Sequence, residues 1–224
     1  MKAVAIYCAD IGSVQGGNFG WARACGNEPA PALRHRSDIN SLCDAVVSDL
    51  TRHVPVALGF ECPLFVPITA DARFLTSARP GEGNRAWCAG GGAGALATGL
   101  TETVWILDRI KKAAPPSSRA FLSWKEFVVA ASGLFLWEAF VTDKAKRGTH
   151  HDDAEAAVTC FHSCLPDVEG HNAVTGDRVR SLIGAALLQT GWSTDLALLQ
   201  ATCLVIRASA VSGAISSGRT KATS

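Results

Sequence analysis

The chain has 224 residues, of which 48% are apolar and 18% are charged. This composition excludes an intrinsically disordered chain and a small domain held together by disulfides, and it is sufficient for a large hydrophobic core. Lys and Arg total 21 against 20 Asp and Glu, so a formal net charge of +1 gives no overall attraction to nucleic acid or to an acidic membrane.

Strands and one helix are predicted in the first part of the chain. Residues 2–9 are almost continuously apolar, as in a strand buried on both faces, and residues 19–25 return after a polar turn as an antiparallel strand. Residues 38–52 carry apolar side chains at helical spacing, and residues 55–60 predict another strand. Residues 62–92 predict a long loop, a length that is typical of functional segments.

Helical spacing returns after this loop. Residues 93–114 predict a helix with Leu100 on its apolar side and Trp105 in the core. Later elements are predicted by the same criteria: strands at residues 119–124, 134–140 and 203–207, and a helix at residues 150–164. Residues 181–189 fit either a helix or a strand. The sequence therefore predicts an α/β fold in which helices pack on a sheet.

The predicted domain organisation is simple. We expect one domain over residues 1–211 and a disordered tail over residues 212–224, which are small and polar. The eight cysteines are spread singly through apolar runs, as is typical of buried thiols. Without a signal-peptide pattern or an apolar run of the roughly 20 residues that span a bilayer, we expect a cytoplasmic protein with no membrane partner.

Acidic side chains mark the ends of several predicted elements. Asp10 and Glu61 each follow an apolar strand, and Asp153 lies where a helix begins. A carboxylate next to a buried strand costs desolvation unless it is paired or holds a metal. Neighbouring strands and a docked helix would bring the three together, and such a cluster either takes up protons or binds hard divalent cations such as Mg²⁺ or Mn²⁺. Two such ions can activate a water and stabilise the leaving oxygen in phosphodiester cleavage.

Each of these acids also has an ordinary structural explanation. Asp10 before Gly12 fits a strand-to-turn transition, and Glu61 fits a surface position where a strand ends. Asp152 fits a helix cap or a first-turn acid that the helix dipole favours. The order and placement of the acids together are what favour a catalytic role.

Three segments resemble the RNase H-like fold, in particular its RuvC-type branch. They are Ala9-Asp10-Ile11-Gly12 after the first strand, Gly59-Phe60-Glu61-Cys62-Pro63-Leu64, and the helix start His150-His151-Asp152-Asp153-Ala154-Glu155-Ala156. The chain is similar to an uncharacterised bacterial family of predicted RNase H-like nucleases, and the resemblance extends over much of its length. It implies a mixed sheet flanked by helices and a metal-dependent nuclease that hydrolyses nucleic acid by a two-metal carboxylate mechanism.

The resemblance also implies roles for individual residues. Asp10, Glu61 and Asp153 would be metal ligands, and His150 would position or deprotonate the attacking water. Asp152 competes with Asp153 for the ligand role, and the spacing from His150 favours Asp153. Glu138, within the strand predicted at residues 134–140, is an additional candidate ligand.

Four residues are candidates for substrate binding. Arg85 and Trp87 lie in the long loop, where the indole could stack on a base, and Lys144 and Arg147 form a basic group before the helix at residues 150–164. The near-neutral charge favours a short or structured substrate, or an accessory protein subunit that supplies affinity, over a processive enzyme on long duplex DNA.

Two other functions remain open. Sugar kinases and actin-like ATPases share the fold and its Asp-x-Gly turn, and the glycine run 90–94 could cradle a phosphate in such a phosphotransferase. Against this, the chain is short for a two-lobed kinase and lacks a second Asp-x-Gly phosphate turn. The other alternative is a non-catalytic module that binds a nucleotide or a partner, which the intact acidic set disfavours.

Overall fold

The computed structural model describes residues 3–25, 34–36, 38–83, 85–141 and 148–208. The strands are β1 (Ala5–Asp10), β2 (Gly20–Cys25), β3 (Arg34–Arg36), β4 (Val56–Phe60), β5 (Phe65–Pro67), β6 (Ala120–Phe121), β7 (Leu134–Val141), β8 (Val179–Ser181) and β9 (Leu204–Ala208). The helices are α1 (Ile39–Thr51), α2 (Gly90–Ala113), α3 (Trp124–Ala130), α4 (His150–Ser163) and α5 (Leu182–Gln189).

Within these residues, seven strands form the central sheet in the order β3-β2-β1-β4-β7-β6, and β9 also pairs with β7. β1, β2 and β3 are antiparallel neighbours, whereas β1, β4, β7, β6 and β9 are joined by parallel pairings. β5 and β8 form a separate antiparallel pair. The carboxyl ends of the parallel strands therefore meet at one edge of the sheet, where ligands bind in open α/β sheets.

Each face of the sheet carries its own hydrophobic core. Side chains at alternate positions of β1, including Ile6 and Cys8, pack with α3 and with the apolar side of α4. The intervening residues, including Tyr7 and Ala9, pack with α1, α2 and α5. This alternation follows from the two-residue period of a strand. The predicted α/β class, a mixed sheet flanked by helices and consistent with an RNase H-like fold, is confirmed.

Two of the predicted elements are wrong in detail. Residues 119–124 are not one strand, because β6 is short and Trp124 begins α3, whose N-cap Ser123 accepts a hydrogen bond from the backbone N of Glu126. On α2, Leu100 and Trp105 are exposed, and the buried side carries Gly99 instead. A Cβ at Gly99 would come within 2.6 Å of Cys62 Sγ, so close packing of the helix requires a glycine there.

Other expectations have the following outcomes. The ambiguous segment 181–189 is helical from Leu182, and the long loop at 62–92 contains β5 and a 3₁₀ turn at Ala72–Phe74. The eight cysteines form no disulfide, and five of them are buried. No helix in the described part of the chain is long and apolar enough to cross a membrane. The tail predicted at residues 212–224 lies outside the described residues.

Candidate active site

The first two acids lie side by side at the carboxyl edge of the sheet. Ala9 of β1 is in register with Phe60 of β4, and Glu61 donates its backbone N–H to Ala9 O at 2.8 Å. Ala9 and Phe60 both belong to the core beneath α1 and α2, so alternation directs Asp10 and Glu61 to the α4 face. Asp10 is 4% exposed, and Glu61 is partly buried.

The third acid comes from the start of α4. The Thr149 hydroxyl caps this helix by accepting from the backbone N of Asp152 at 3.3 Å, which places Asp153 in the first turn. The helix start can approach β2 closely because position 20 is glycine. A Cβ on Gly20 would lie 2.7 Å from the carbonyl carbon of His150. Asp153 is 5% exposed and reaches the same edge of the sheet as Asp10.

The three acids form one cluster. One carboxylate oxygen from each of Asp10, Glu61 and Asp153 lies within 4.8 Å of those of the other two. Three carboxylates this close repel one another when ionised, and a divalent cation relieves that repulsion. The donor set consists of oxygens alone, which suits Mg²⁺ or Mn²⁺ rather than a metal that prefers sulfur or nitrogen. The residues present therefore fit the predicted metal.

His150 completes the cluster. Its Nδ1 lies 2.7 Å from Asp10 Oδ2, and its side chain is 40% exposed. A carboxylate only accepts hydrogen bonds, so this contact places the proton of a neutral imidazole on Nδ1 and leaves Nε2 as an acceptor. The structure therefore brings His150, Asp10, Glu61 and Asp153 together, as the sequence predicts.

Asp152 takes a different position. Thr149 donates its hydroxyl to Asp152 Oδ2 at 2.7 Å, so the carboxylate is engaged with the helix cap. Asp152 does not belong to the cluster of Asp10, Glu61 and Asp153. Of the two neighbouring acids, Asp153 is the one that the geometry favours as a ligand.

Glu138 also lies outside the cluster, although β7 runs beside β4 and Glu138 is in register with Phe60. Its neighbours Leu136 and Trp137 belong to the α1–α2 core and the α4 core respectively, so Glu138 points away from the α4 face. There its carboxylate is bound by Arg79, with oxygen-to-nitrogen distances of 2.5 and 2.8 Å. A carboxylate paired in this way has little left to offer a metal.

Arg79 is the centre of a buried ionic network that sequence reasoning missed. It is 3% exposed, and it binds Glu82 through Nε at 2.8 Å as well as Glu138. It also donates to Phe65 O at 3.1 Å. Burial raises the pKa of Glu138, and the Arg79 guanidinium opposes this shift. The sequence places opposite charges, Arg79 and Glu82, on either side of the Pro-Gly pair at residues 80–81, and this pattern could have indicated the network.

Asp10 and Glu61 open onto a cavity of about 470 Å³. Its lining includes Asp10, Glu61 and His150, and also the predicted substrate-binding residues Arg85 and Trp87. The Trp87 indole is fixed, because Nε1 donates to Ser77 O at 2.9 Å. The other two candidates, Lys144 and Arg147, lie outside the described residues.

Glu102 is a further acid near the site that the sequence did not single out. It lies on α2, where the backbone N–H of Gly12 donates to its carboxylate. Its Oε2 is buried with no hydrogen-bond partner in the described structure. Burial raises the pKa of Glu102 to about 7, with the Gly12 hydrogen bond acting in the opposite direction. Glu102 therefore changes charge near neutral pH.

Comparison with known proteins does not identify a relative. No protein-family model matches the chain, and no curated protein or solved structure matches it either. The functional argument therefore depends on the fold and on the geometry of this cluster.

Proposed function

We propose that this protein is a nuclease that requires Mg²⁺ or Mn²⁺ and hydrolyses phosphodiester bonds of nucleic acid. The observation that carries the proposal is the convergence of Asp10, Glu61 and Asp153, whose carboxylate oxygens lie within 4.8 Å of one another. An all-oxygen cluster of this kind is the usual ligand set for two-metal phosphodiester chemistry. The fold class, consistent with an RNase H-like fold, supports the same reaction class.

The chain's own residues have separable roles in this proposal. Asp10, Glu61 and Asp153 would hold the divalent ions, which when bound supply a water of lowered pKa and charge neutralisation at the phosphate. His150, with Nδ1–H on Asp10, accepts a proton from the attacking water at Nε2. The contact with Asp10 also fixes the imidazole orientation, as a second hydrogen bond does for many catalytic histidines.

The test is a cleavage assay with labelled single-stranded, duplex, hybrid and branched substrates, each in Mg²⁺, Mn²⁺ or EDTA. Wild type should cut at least one substrate with metal and none in EDTA. Asp10→Asn and Asp153→Asn should be inactive yet melt cooperatively. Their melting temperatures without metal should not fall below that of wild type, because each substitution removes one of three mutually repelling charges.

Asp152→Asn is the matched control. It makes the same chemical change one residue from Asp153, at a carboxylate that is engaged with Thr149. Its activity should stay close to wild type. Activity retained in both Asp10→Asn and Asp153→Asn would show that the site is misassigned. ATP turnover without cleavage would instead favour the phosphotransferase alternative.

A further inference from the structure

Two of the candidate metal ligands, Asp10 and Glu61, line a recessed cavity that is partly open to solvent. Asp10 and Asp153 are both nearly inaccessible, and the cavity that Asp10, Glu61 and His150 line has a volume of about 470 Å³. That volume falls in the range of about 300–1,000 Å³ that is typical of pockets for small molecules. A scissile phosphate must therefore enter the cavity, together with the nucleotide that carries it.

One wall of this cavity is anchored. It is formed by residues within 79–83 and 85–95, which include Arg85, Trp87 and the first turns of α2. The buried pairing of Arg79 with Glu138 ties this segment to β7. Next to it, Thr175 donates its backbone N–H to Pro80 O at 3.1 Å, and Arg207 donates to Gly81 O. These bonds oppose an outward swing of the wall that would admit a bulky substrate.

The lining chemistry suits one nucleotide. The apolar part of the lining includes Ile11, Pro63 and Phe140, and the indole of Trp87 offers a fixed face for stacking on a base. Arg85 also lines the cavity, and a guanidinium is the side chain best suited to a phosphate; Glu82 and Glu138 in the lining are paired with Arg79. A net charge of +1 agrees with few phosphate contacts rather than with a long basic track.

We propose, on the basis of the nuclease function above, that the substrate is unpaired: one nucleotide of a single strand enters the cavity. Enzymes whose reacting groups are recessed in a pocket take a single-stranded or extruded nucleotide, because a stacked base pair does not reach those groups. A continuous duplex keeps every nucleotide stacked and paired. It therefore presents no single nucleotide to the acids that line this cavity.

The test compares a short single strand, a dinucleotide, and a covalently closed duplex with no free end or unpaired position, all in Mn²⁺. The single strand and the dinucleotide should be cut, with the closed duplex slower by about tenfold or more. KM for the single strand should rise only weakly as salt is added. The logarithm of KM should increase with the logarithm of the salt concentration by about 0.7 for each phosphate contact, and few such contacts are expected. Closed duplex cut as fast as the single strand would overturn the proposal.

A cavity-filling variant gives a second readout. Gly94 is an exposed position of α2 that lines the cavity, and a Cβ there would meet no atom within 4 Å outside its own helix, so Gly94→Leu adds bulk beside the cavity without a close contact at Cβ. KM for the single strand should rise by about tenfold or more. Ala97→Leu is the matched control, because Ala97 is an exposed position of α2 that does not line the cavity. Equal KM values in Gly94→Leu and Ala97→Leu would contradict the assignment of this cavity as the substrate site.

Failure of the nuclease function can be separated from failure of this inference by binding. If neither substrate is cut, fluorescence anisotropy of the labelled single strand and closed duplex decides the matter. Preferential binding of the single strand that Gly94→Leu abolishes would keep the cavity inference and reject the hydrolysis. Equal binding of both forms, unchanged in Gly94→Leu, would reject the inference itself.

Discussion

His150 Nδ1 lies 2.7 Å from Asp10 Oδ2, although 140 positions separate the two residues in the sequence. β1 brings Asp10 to the edge of the sheet, and the close packing of α4 on β2 brings His150 to it. The contact resembles the base–carboxylate pairs of hydrolases, in which the acid fixes the tautomer and orientation of the imidazole. Here the same acid is also a candidate metal ligand.

The first prediction concerns this imidazole. His150→Gln should lower kcat by about 10²-fold or more, the range for loss of a group that transfers a proton in the transition state. KM should change little.

Metal binding provides the control for that prediction. Because the three carboxylates remain in His150→Gln, the rise in melting temperature on adding Mn²⁺ should match that of wild type. Loss of the Mn²⁺ response together with kcat would show that His150 acts by holding Asp10 in place. An intact kcat in His150→Gln would contradict the prediction. Measurement of kcat and of the Mn²⁺ response on the same protein therefore distinguishes proton transfer from positioning.

The cluster could be predicted from the sequence because each acid is placed by local rules. Asp10 and Glu61 follow apolar strands that pair in parallel, and Asp153 lies in a capped first turn. Glu138 satisfied the same rule but lies on the opposite face of the sheet. The face of the sheet on which its side chain lies depends on the register in which β7 pairs with β4. Its partner Arg79 is 59 residues away in the sequence. Neither relationship is a local property of the sequence.

The errors in predicting residues 119–124 and the buried side of α2 have similar causes. The strand predicted at residues 119–124 came from its apolar residues, yet Ser123 and Glu126 have the spacing of a helix cap that marks the start of α3. On α2, large apolar side chains were expected to face the core. The helix instead approaches Cys62 through Gly99, which leaves Leu100 and Trp105 exposed. Farther along α2, Leu107 and Ile110 are buried as the hydrophobic pattern predicts, so the exception is confined to the part of the helix that packs on Cys62.

The second prediction tests the Arg79 network. Arg79→Met should lower the free energy of unfolding by about 3–5 kcal/mol, because it leaves the buried carboxylates of Glu82 and Glu138 without their cation. Urea denaturation measures this loss. The loss should be larger at pH 8 than at pH 5, because burial already raises the pKa of Glu138, and ionisation in the folded state costs more without Arg79.

Arg73→Met is the matched control, since Arg73 lies in the same loop and pairs with Asp71 at the surface. An exposed ion pair of this kind contributes little, so its stability should stay close to wild type at both pH values. A loss in Arg73→Met as large as that in Arg79→Met would mean that the loop depends on total positive charge. Arg79→Lys should fall between wild type and Arg79→Met, because it keeps the charge but not the paired hydrogen bonds.

The third prediction concerns Glu102, whose pKa is raised to about 7 by burial. A carboxyl with a raised pKa binds its proton more tightly in the folded protein, so its ionisation lowers stability as pH rises from about 4.5 to 7. Glu102→Gln removes this effect and keeps an acceptor for Gly12. The variant should be more stable than wild type at pH 8 by about 1 kcal/mol, after allowing for solvent screening of a half-exposed group.

At about pH 4, below the ordinary pKa of 4.5, the wild-type carboxyl is mostly protonated in both the folded and the unfolded protein, so the two proteins should have nearly equal stability. Urea denaturation of both proteins across this pH range gives the difference directly, and effects of other titrating groups cancel in it. A stability difference that does not vary with pH would show that Glu102 keeps an ordinary pKa in the folded protein.

The fourth prediction concerns the close contact between β2 and α4. A Cβ in Gly20→Ala would lie 2.7 Å from the carbonyl carbon of His150, so the start of α4 must move outward. Overpacking of this kind costs about 1–3 kcal/mol in stability. The displacement also carries His150 and Asp153 away from Asp10, and a shift approaching 1 Å at a catalytic group lowers kcat by about 10²-fold.

Val158→Ala separates the two effects of Gly20→Ala. Val158 is fully buried on α4, away from its first turn, so its truncation should cost about 1–3 kcal/mol without moving the helix start. Both variants are compared by urea denaturation, by the Mn²⁺-dependent rise in melting temperature and by kcat. Gly20→Ala should lose the Mn²⁺ response and activity, whereas Val158→Ala should keep both. Equal activity in the two variants would show that the cluster tolerates displacement of α4, contrary to its tight geometry.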